Sequence, residues 1–156
     1  SSLIKAFALL RKNHVARLVL VGGGEELEKL KEDCLLLGIS DDVLFTGWQK
    51  NPYKFIKKSS IFVLSSLWEG FPNVLIEAMC LGLPVVSTNC PTGPDEIITH
   101  NIDGMLIPVN DPNSLNNALE KLITDKRLNK KIKTPGNSFI PIAKDKNKAL
   151  KYNFFS

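Results

Sequence analysis

The chain has 156 residues, with 20 Lys and Arg against 16 Asp and Glu, a formal net charge of +4. That length suits one domain with a proper core, and so mild a charge suits a solvated surface rather than a nucleic-acid partner. No apolar run is long enough to span a bilayer, and Cys34, Cys80 and Cys90 are odd in number without C-x-x-C spacing, which argues against disulfides and a zinc site and for a reduced, cytoplasmic setting.

The chain opens in SSLIKAFALLRKN, where Leu3, Phe7 and Leu10 recur at helical spacing. A helix with no strand and no initiator Met ahead of it is expected of an excised fragment. Arg17 to Val21 is a continuous apolar run ending in Gly22-Gly23-Gly24, which reads as a buried parallel strand and a tight turn. Glu25 to Leu37 follows as a helix with Leu27, Leu30 and Cys34 on one stripe. The glycines invite a dinucleotide-binding reading, but Leu27 stands where G-x-G-x-x-G needs its third glycine, so the match is weak. Val43 to Gly47 predicts a strand and Tyr53 to Lys58 a short helix. Ile61–Leu64, Pro84–Ser87 and Met105–Ile107 are further strands. Thr92-Gly93-Pro94 starts another helix, and Asp111-Pro112 caps one running from Ser114 to Thr124. Strands alternating with helices predict a doubly wound parallel α/β sheet, whose ligands bind beyond the carboxyl ends of the strands. That rule gathers Gly22–Gly24, Gly47–Lys50, Ser65–Gly70 and Cys90–Gly93 along one edge.

The chemistry concentrates in Ser65 to Asn89. Pro72 suits a first helical position, which predicts a helix from about Pro72 to Leu81, with Gly82 past its end and Pro84 closing it. Glu69 then lies in the loop at the helix mouth and Glu77 inside the helix, among Val74, Leu75, Ile76, Ala78 and Met79. A carboxylate in such surroundings needs a partner or a wet cleft. Asn73 is on its face, one turn nearer the mouth. Free N–H groups and the helix dipole at the mouth suit a phosphate, and a carboxylate one turn deeper suits the vicinal hydroxyls of a ribose. A structural Glu77 paired with Lys or Arg, beside a plain loop acid at Glu69, explains the spacing equally well.

The stretch SLWEGFPNVLIEAMCLGLPVVSTNCPTGPDEII resembles the signature of retaining, nucleotide-sugar-dependent glycosyltransferases of the two-Rossmann-domain (GT-B) fold, above all the bacterial group 1 family that builds lipopolysaccharide, capsule and lipid-linked glycans. The resemblance runs from about Leu18 to Thr124. It implies a donor-binding C-terminal half in which Glu77 binds ribose hydroxyls and Glu69 lies at the donor sugar, near the reacting anomeric carbon. Gly70, Phe71, Pro72, Asn73, Val74 and Leu75 form the phosphate-facing mouth, the N–H groups of Phe71, Asn73, Val74 and Leu75 stabilising the departing diphosphate. It further places Gly47 and Trp48 near the nucleotide base, Gly23 on the same edge and Gly93 beside the donor sugar. Trp68 reads as a packing residue. The resemblance implies front-face retention with no covalent nucleophile, usually no metal and no cofactor, the nucleoside-diphosphate sugar being substrate.

The family's donor domain begins with a strand and a Gly-Arg…Lys-Gly stretch whose Arg and Lys hold the diphosphate. This chain starts beyond that point, and Lys5 and Arg11 on the following helix do not replace them. The expected organisation is therefore an N-terminally incomplete nucleotide-sugar-binding domain over residues 1–134, its sheet lacking the first strand and leaving a neighbour uncovered. An irregular or helical tail follows over 135–156, with Ala143 to Tyr152 as a candidate helix. The acceptor, a glycan or lipid-linked glycan, is expected on a missing N-terminal domain, with peripheral association of the full-length protein at the inner face of the plasma membrane. A nucleotide-sugar epimerase of the same architecture and a non-catalytic nucleotide-binding or scaffold domain are the alternatives.

Overall fold

The computed structural model describes residues 1–133 and 152–155. Helices α1 (Ser2–Arg11), α2 (Leu27–Leu36), α3 (Tyr53–Ile56), α4 (Asn73–Cys80), α5 (Pro94–Ile97), α6 (Pro112–Thr124) and α7 (Lys126–Lys133) alternate with strands β1 (Leu18–Val21), β2 (Val43–Phe45), β3 (Ile61–Leu64), β4 (Val85–Thr88) and β5 (Met105–Ile107). A last strand, β6, spans Tyr152–Phe155. The order across the sheet is β2-β1-β6-β3-β4-β5.

The strands are apolar on both faces because both faces are covered, as parallel sheets require. Ile61 and Val63 of β3 face one core with Leu18, Leu20, Val86 and Met105, roofed by α1 and α6. Phe62 and Leu64 point the other way, into a core with Val85, Ile56 of α3 and Val74, Leu75 and Ala78 of α4. The helical spacing read in the opening segment holds: Leu3, Phe7 and Leu10 are all buried. Full burial of one such side chain contributes about 1.5–3 kcal/mol. Arg11 is a structural cation, its Nε 2.7 Å from Asp42 Oδ2 and a guanidinium N–H donating to the His14 carbonyl at 2.7 Å. Asp111 caps α6 as its position predicts, its Oδ1 accepting from the N–H groups of Asn113 and Ser114.

The sheet departs from expectation at its centre. β1 pairs with β2, β3 with β4 and β4 with β5, all parallel. β6 is antiparallel to both its neighbours, Leu20 lying opposite Asn153 and Phe62 opposite Phe154. The sheet is thus mixed rather than wholly parallel, and β1 and β3 are covered rather than open. The N–H and C=O groups of two facing strand edges are satisfied by a strand of either direction. Tyr152–Phe155 is correspondingly a strand, where an irregular or helical tail was expected. The rest of the helix expected over Ala143 to Tyr152 lies outside the described residues.

Candidate functional site

The carboxyl ends of β1, β2, β3 and β4 deliver four loops to one edge of the sheet. An open cleft of about 780 Å³ lies there, lined by Gly22–Gly24 after β1 and Ser65–Glu69 after β3. Gly22 N–H donates to the Gly47 carbonyl at 3.0 Å, tying the loop after β1 to the loop after β2. The Trp48 indole then lies over Gly23, its Cδ1 3.6 Å from where a Cβ would stand. Gly23, Gly47 and Trp48 are thereby brought together, with 69% of Trp48 left exposed.

The loop carrying Glu69 is fastened at three points. Thr88, buried at the end of β4, has its Oγ1 2.5 Å from the Ser66 carbonyl oxygen. Ser66 Oγ donates to Glu69 Oε1 at 2.5 Å, a charge-assisted contact that fixes the carboxylate. Thr92 Oγ1 lies 2.7 Å from the Glu69 carbonyl oxygen, with Thr92 itself held at φ 63°. Gly93 follows at φ 96°, and a methyl there would overlap the Gly70 carbonyl and stand 2.6 Å from Pro72 Cδ. Gly93 is therefore a close-approach residue that lets the loop after β4 lie against the loop after β3. The same packing buries Cys90, whose thiol is pushed up by burial and by the charge of Glu69.

Helix α4 begins one residue later than predicted. Pro72 is its N-cap, with ψ 80° outside the helical range, so it closes the loop rather than opening the helix. The far end is as expected: Gly82 at φ 78° donates to Met79 O and Leu83 to Ala78 O, a left-handed cap that satisfies two terminal carbonyls. At the mouth, Asn73 N–H donates to Phe71 O and Leu75 N–H to Pro72 O. Those two amides are engaged within the loop, which corrects the expectation of four open ones. The Val74 and Leu75 side chains are in the core, while Gly70, Phe71 and Asn73 are exposed at the mouth. Glu77 is half-buried one turn in, near Tyr53, the first residue of α3. Burial, then the charge of the nearby Glu77 carboxylate, push the Tyr53 phenol above the usual tyrosine range.

The model of the family described as "Glycosyl transferases group 1" matches residues 1–138. The chain belongs to that family. Among relatives of this glycosyltransferase domain, an uncharacterized glycosyltransferase of Methanocaldococcus jannaschii is 48% identical over 97 residues, 62% of this chain and 24% of the relative. The N-acetylgalactosamine-N,N'-diacetylbacillosaminyl-diphospho-undecaprenol 4-alpha-N-acetylgalactosaminyltransferase of Campylobacter jejuni is 35% identical over 156 residues, 96% of this chain and 41% of the relative. The crystal structure of Anabaena Alr3699/HepE in complex with UDP-glucose superposes with a TM-score of 0.77 at 27% identity, over 85% of this chain and 37% of that one. The chain thus spans less than half the length of these relatives, and its α/β Rossmann-like fold is that of the Anabaena structure.

Within this glycosyltransferase domain, sequence reading missed the residues that hold the site rather than face it. Ser66, three positions before Glu69, carried a local signal, the S-x-x-E spacing of a capping box, although here the hydroxyl donates to the carboxylate itself instead of either side chain bonding a backbone N–H. Thr88 and Thr92 carried none. Trp68 corrects the packing role read for it, since 76% of it is exposed beside Leu67. Among the described residues, no helix is long and apolar enough to cross a membrane.

Proposed function

We propose that this domain binds the nucleotide-sugar donor of a retaining glycosyltransferase, which moves a sugar from a nucleoside diphosphate to a hydroxyl of a glycan or lipid-linked acceptor. One observation carries the reading: the Glu69 carboxylate, fixed by Ser66 in a fastened loop, precedes by one short step a helix mouth with Glu77 one turn deeper. A ribose would be held by Glu77, the diphosphate would face the mouth at Gly70 to Leu75, and the anomeric carbon would lie beside Glu69. Asn73 and Leu75 would exchange their loop hydrogen bonds for phosphate oxygens. Gly23, Gly47 and Trp48 would border the base, and Gly93 would support the sugar side from below. The Anabaena relative, solved with UDP-glucose, supports a uridine donor. The Campylobacter relative, named for a diphospho-undecaprenol acceptor, supports a lipid-linked glycan acceptor.

Thermal melts of the chain with and without UDP test the reading. Stabilisation that grows with UDP concentration is expected, since a ligand binding only the folded state must raise the midpoint. A folded chain whose midpoint no nucleoside diphosphate moves would overturn it. In the full-length enzyme, Glu77→Gln should weaken donor binding by about 1.5–3 kcal/mol, the scale of a hydrogen bond to a charged group, with the rate of transfer at saturation less affected. Calorimetric titration and steady-state kinetics check this together.

The domain alone is expected to transfer no sugar. Holding donor and acceptor in one geometry accounts for about 7–11 kcal/mol of a barrier in well-oriented systems, and this chain spans 41% of its Campylobacter relative. Product analysis with radiolabelled nucleotide sugar reads the outcome. Turnover comparable to that of a full-length enzyme would contradict it.

A further inference from the structure

We infer that Thr88 is a positioning residue for Glu69, acting through Ser66, so that a buried hydroxyl at the end of β4 sets the direction of the carboxylate. The inference rests on the reading of Glu69 as the carboxylate beside the anomeric carbon. Among the described residues, Ser87 and Thr88 are the buried polar side chains. A buried hydroxyl needs a hydrogen-bond partner, and these two find theirs in different places. Ser87 Oγ donates to the Thr88 carbonyl at 3.1 Å, within its own strand. Thr88 Oγ1 reaches out of its strand instead, 2.5 Å from the Ser66 carbonyl oxygen and 3.4 Å from that of Leu64.

The strand register explains why a side chain serves there. β3 and β4 pair from Phe62 opposite Val85 to Leu64 opposite Ser87, while Thr88 lies opposite Ile107 of β5. The Thr88 hydroxyl therefore carries the connection to β3 past the end of their ladder and holds the Ser66 peptide plane. With that plane held, the Ser66 side chain has one heavy-atom torsion left, and it places Oγ 2.5 Å from Glu69 Oε1. Both contacts are at the short end of the range for O–H···O hydrogen bonds. At the far end of the segment, Thr92 Oγ1 holds the Glu69 carbonyl at 2.7 Å. That contact fixes backbone, and a glutamate has three side-chain torsions beyond it. The orientation of the carboxylate thus depends on Ser66 and, through Ser66, on Thr88.

The test joins crystal structures of the chain to steady-state kinetics of the full-length enzyme with UDP-glucose and UDP-galactose, for Thr88→Val, Thr88→Ser, Ser66→Ala and Glu69→Gln. Val keeps the shape of the buried side chain without its hydroxyl, Ser keeps the hydroxyl, and melting curves confirm that each variant is folded. In Thr88→Val, Ser66 Oγ should move out of hydrogen-bond reach of Glu69 Oε1. Its kcat should fall by about 10–100-fold, the scale on which a small misplacement of a reacting group acts, with UDP affinity unchanged. Thr88→Ser should restore both the contact and kcat. Ser66→Ala, at a half-buried position, should show the same loss, and adding Thr88→Val to it should lower kcat no further. A Ser66–Glu69 contact that survives in Thr88→Val, or an unchanged kcat there alongside a loss in Glu69→Gln, would overturn the inference and leave the reading of Glu69 standing. UDP affinity falling in step with kcat, additively with Ser66→Ala, would also overturn it, by assigning Thr88 to packing alone. Full kcat in Glu69→Gln would instead overturn the reading of Glu69 itself.

Discussion

Glu69→Gln in the full-length enzyme should lower the rate of sugar transfer by about 10²–10³-fold, the scale for removing one preorganised electrostatic group from a reacting centre, while UDP binds as before. Gln keeps the shape of the side chain and an oxygen able to accept from Ser66 Oγ, 2.5 Å away in the wild type. On the proposed reading, what it removes is the negative charge beside a carbon that becomes positive as the diphosphate departs. The backbone carrying residue 69 stays pinned by Thr92 Oγ1 and by the close approach of Gly93, so the loop itself should not move. Steady-state kinetics with donor affinity measured separately decide the matter. A rise in KM with kcat preserved would show that Glu69 only binds.

Gly93→Ala should be among the most damaging single substitutions outside the carboxylates. A φ of 96° with ψ −58° is costly for any residue with a Cβ, on the scale of about 1–3 kcal/mol. The new methyl would also meet the Gly70 carbonyl and Pro72 Cδ, backbone and ring atoms that cannot rotate away, and overpacking of this kind adds about 1–3 kcal/mol. Thr92, immediately before, is already at φ 63° and hydrogen-bonded to the Glu69 carbonyl, so relief cannot come from that side. The expected total is about 2–6 kcal/mol, and at roughly 2–4 °C per kcal/mol the melting midpoint should fall by about 4–24 °C. Gly104→Ala is the control. Its methyl would stand 2.8 Å from Ile98 Cγ2 and Val85 Cγ2, side-chain atoms away from the site. It should lower the midpoint by less and leave UDP affinity intact, whereas Gly93→Ala should weaken UDP by displacing the Glu69 loop. Equal effects of both variants on affinity would count against that coupling.

Five of the six strands and the residues proposed to face a ligand were legible in the sequence alone. Ile61–Leu64 and Met105–Ile107 are strands because short apolar runs between turn signals bury on both faces. Asp111 caps α6 because its carboxylate reaches amides two and three residues on. The pairing of Glu69 with Glu77 across a helix start is equally local, which is why the family signature was legible there. The tertiary structure alone decided what holds those groups. Thr88 reaches Ser66 across 22 positions and Thr92 reaches Glu69 across 23, contacts that exist only because β3 and β4 pair in parallel and bring their trailing loops side by side. The direction of β6 had no local signature at all. Four residues can present the same hydrogen-bonding groups to β1 and β3 either way round, and the choice depends on how the chain reaches the slot, which no pattern within Tyr152–Phe155 encodes.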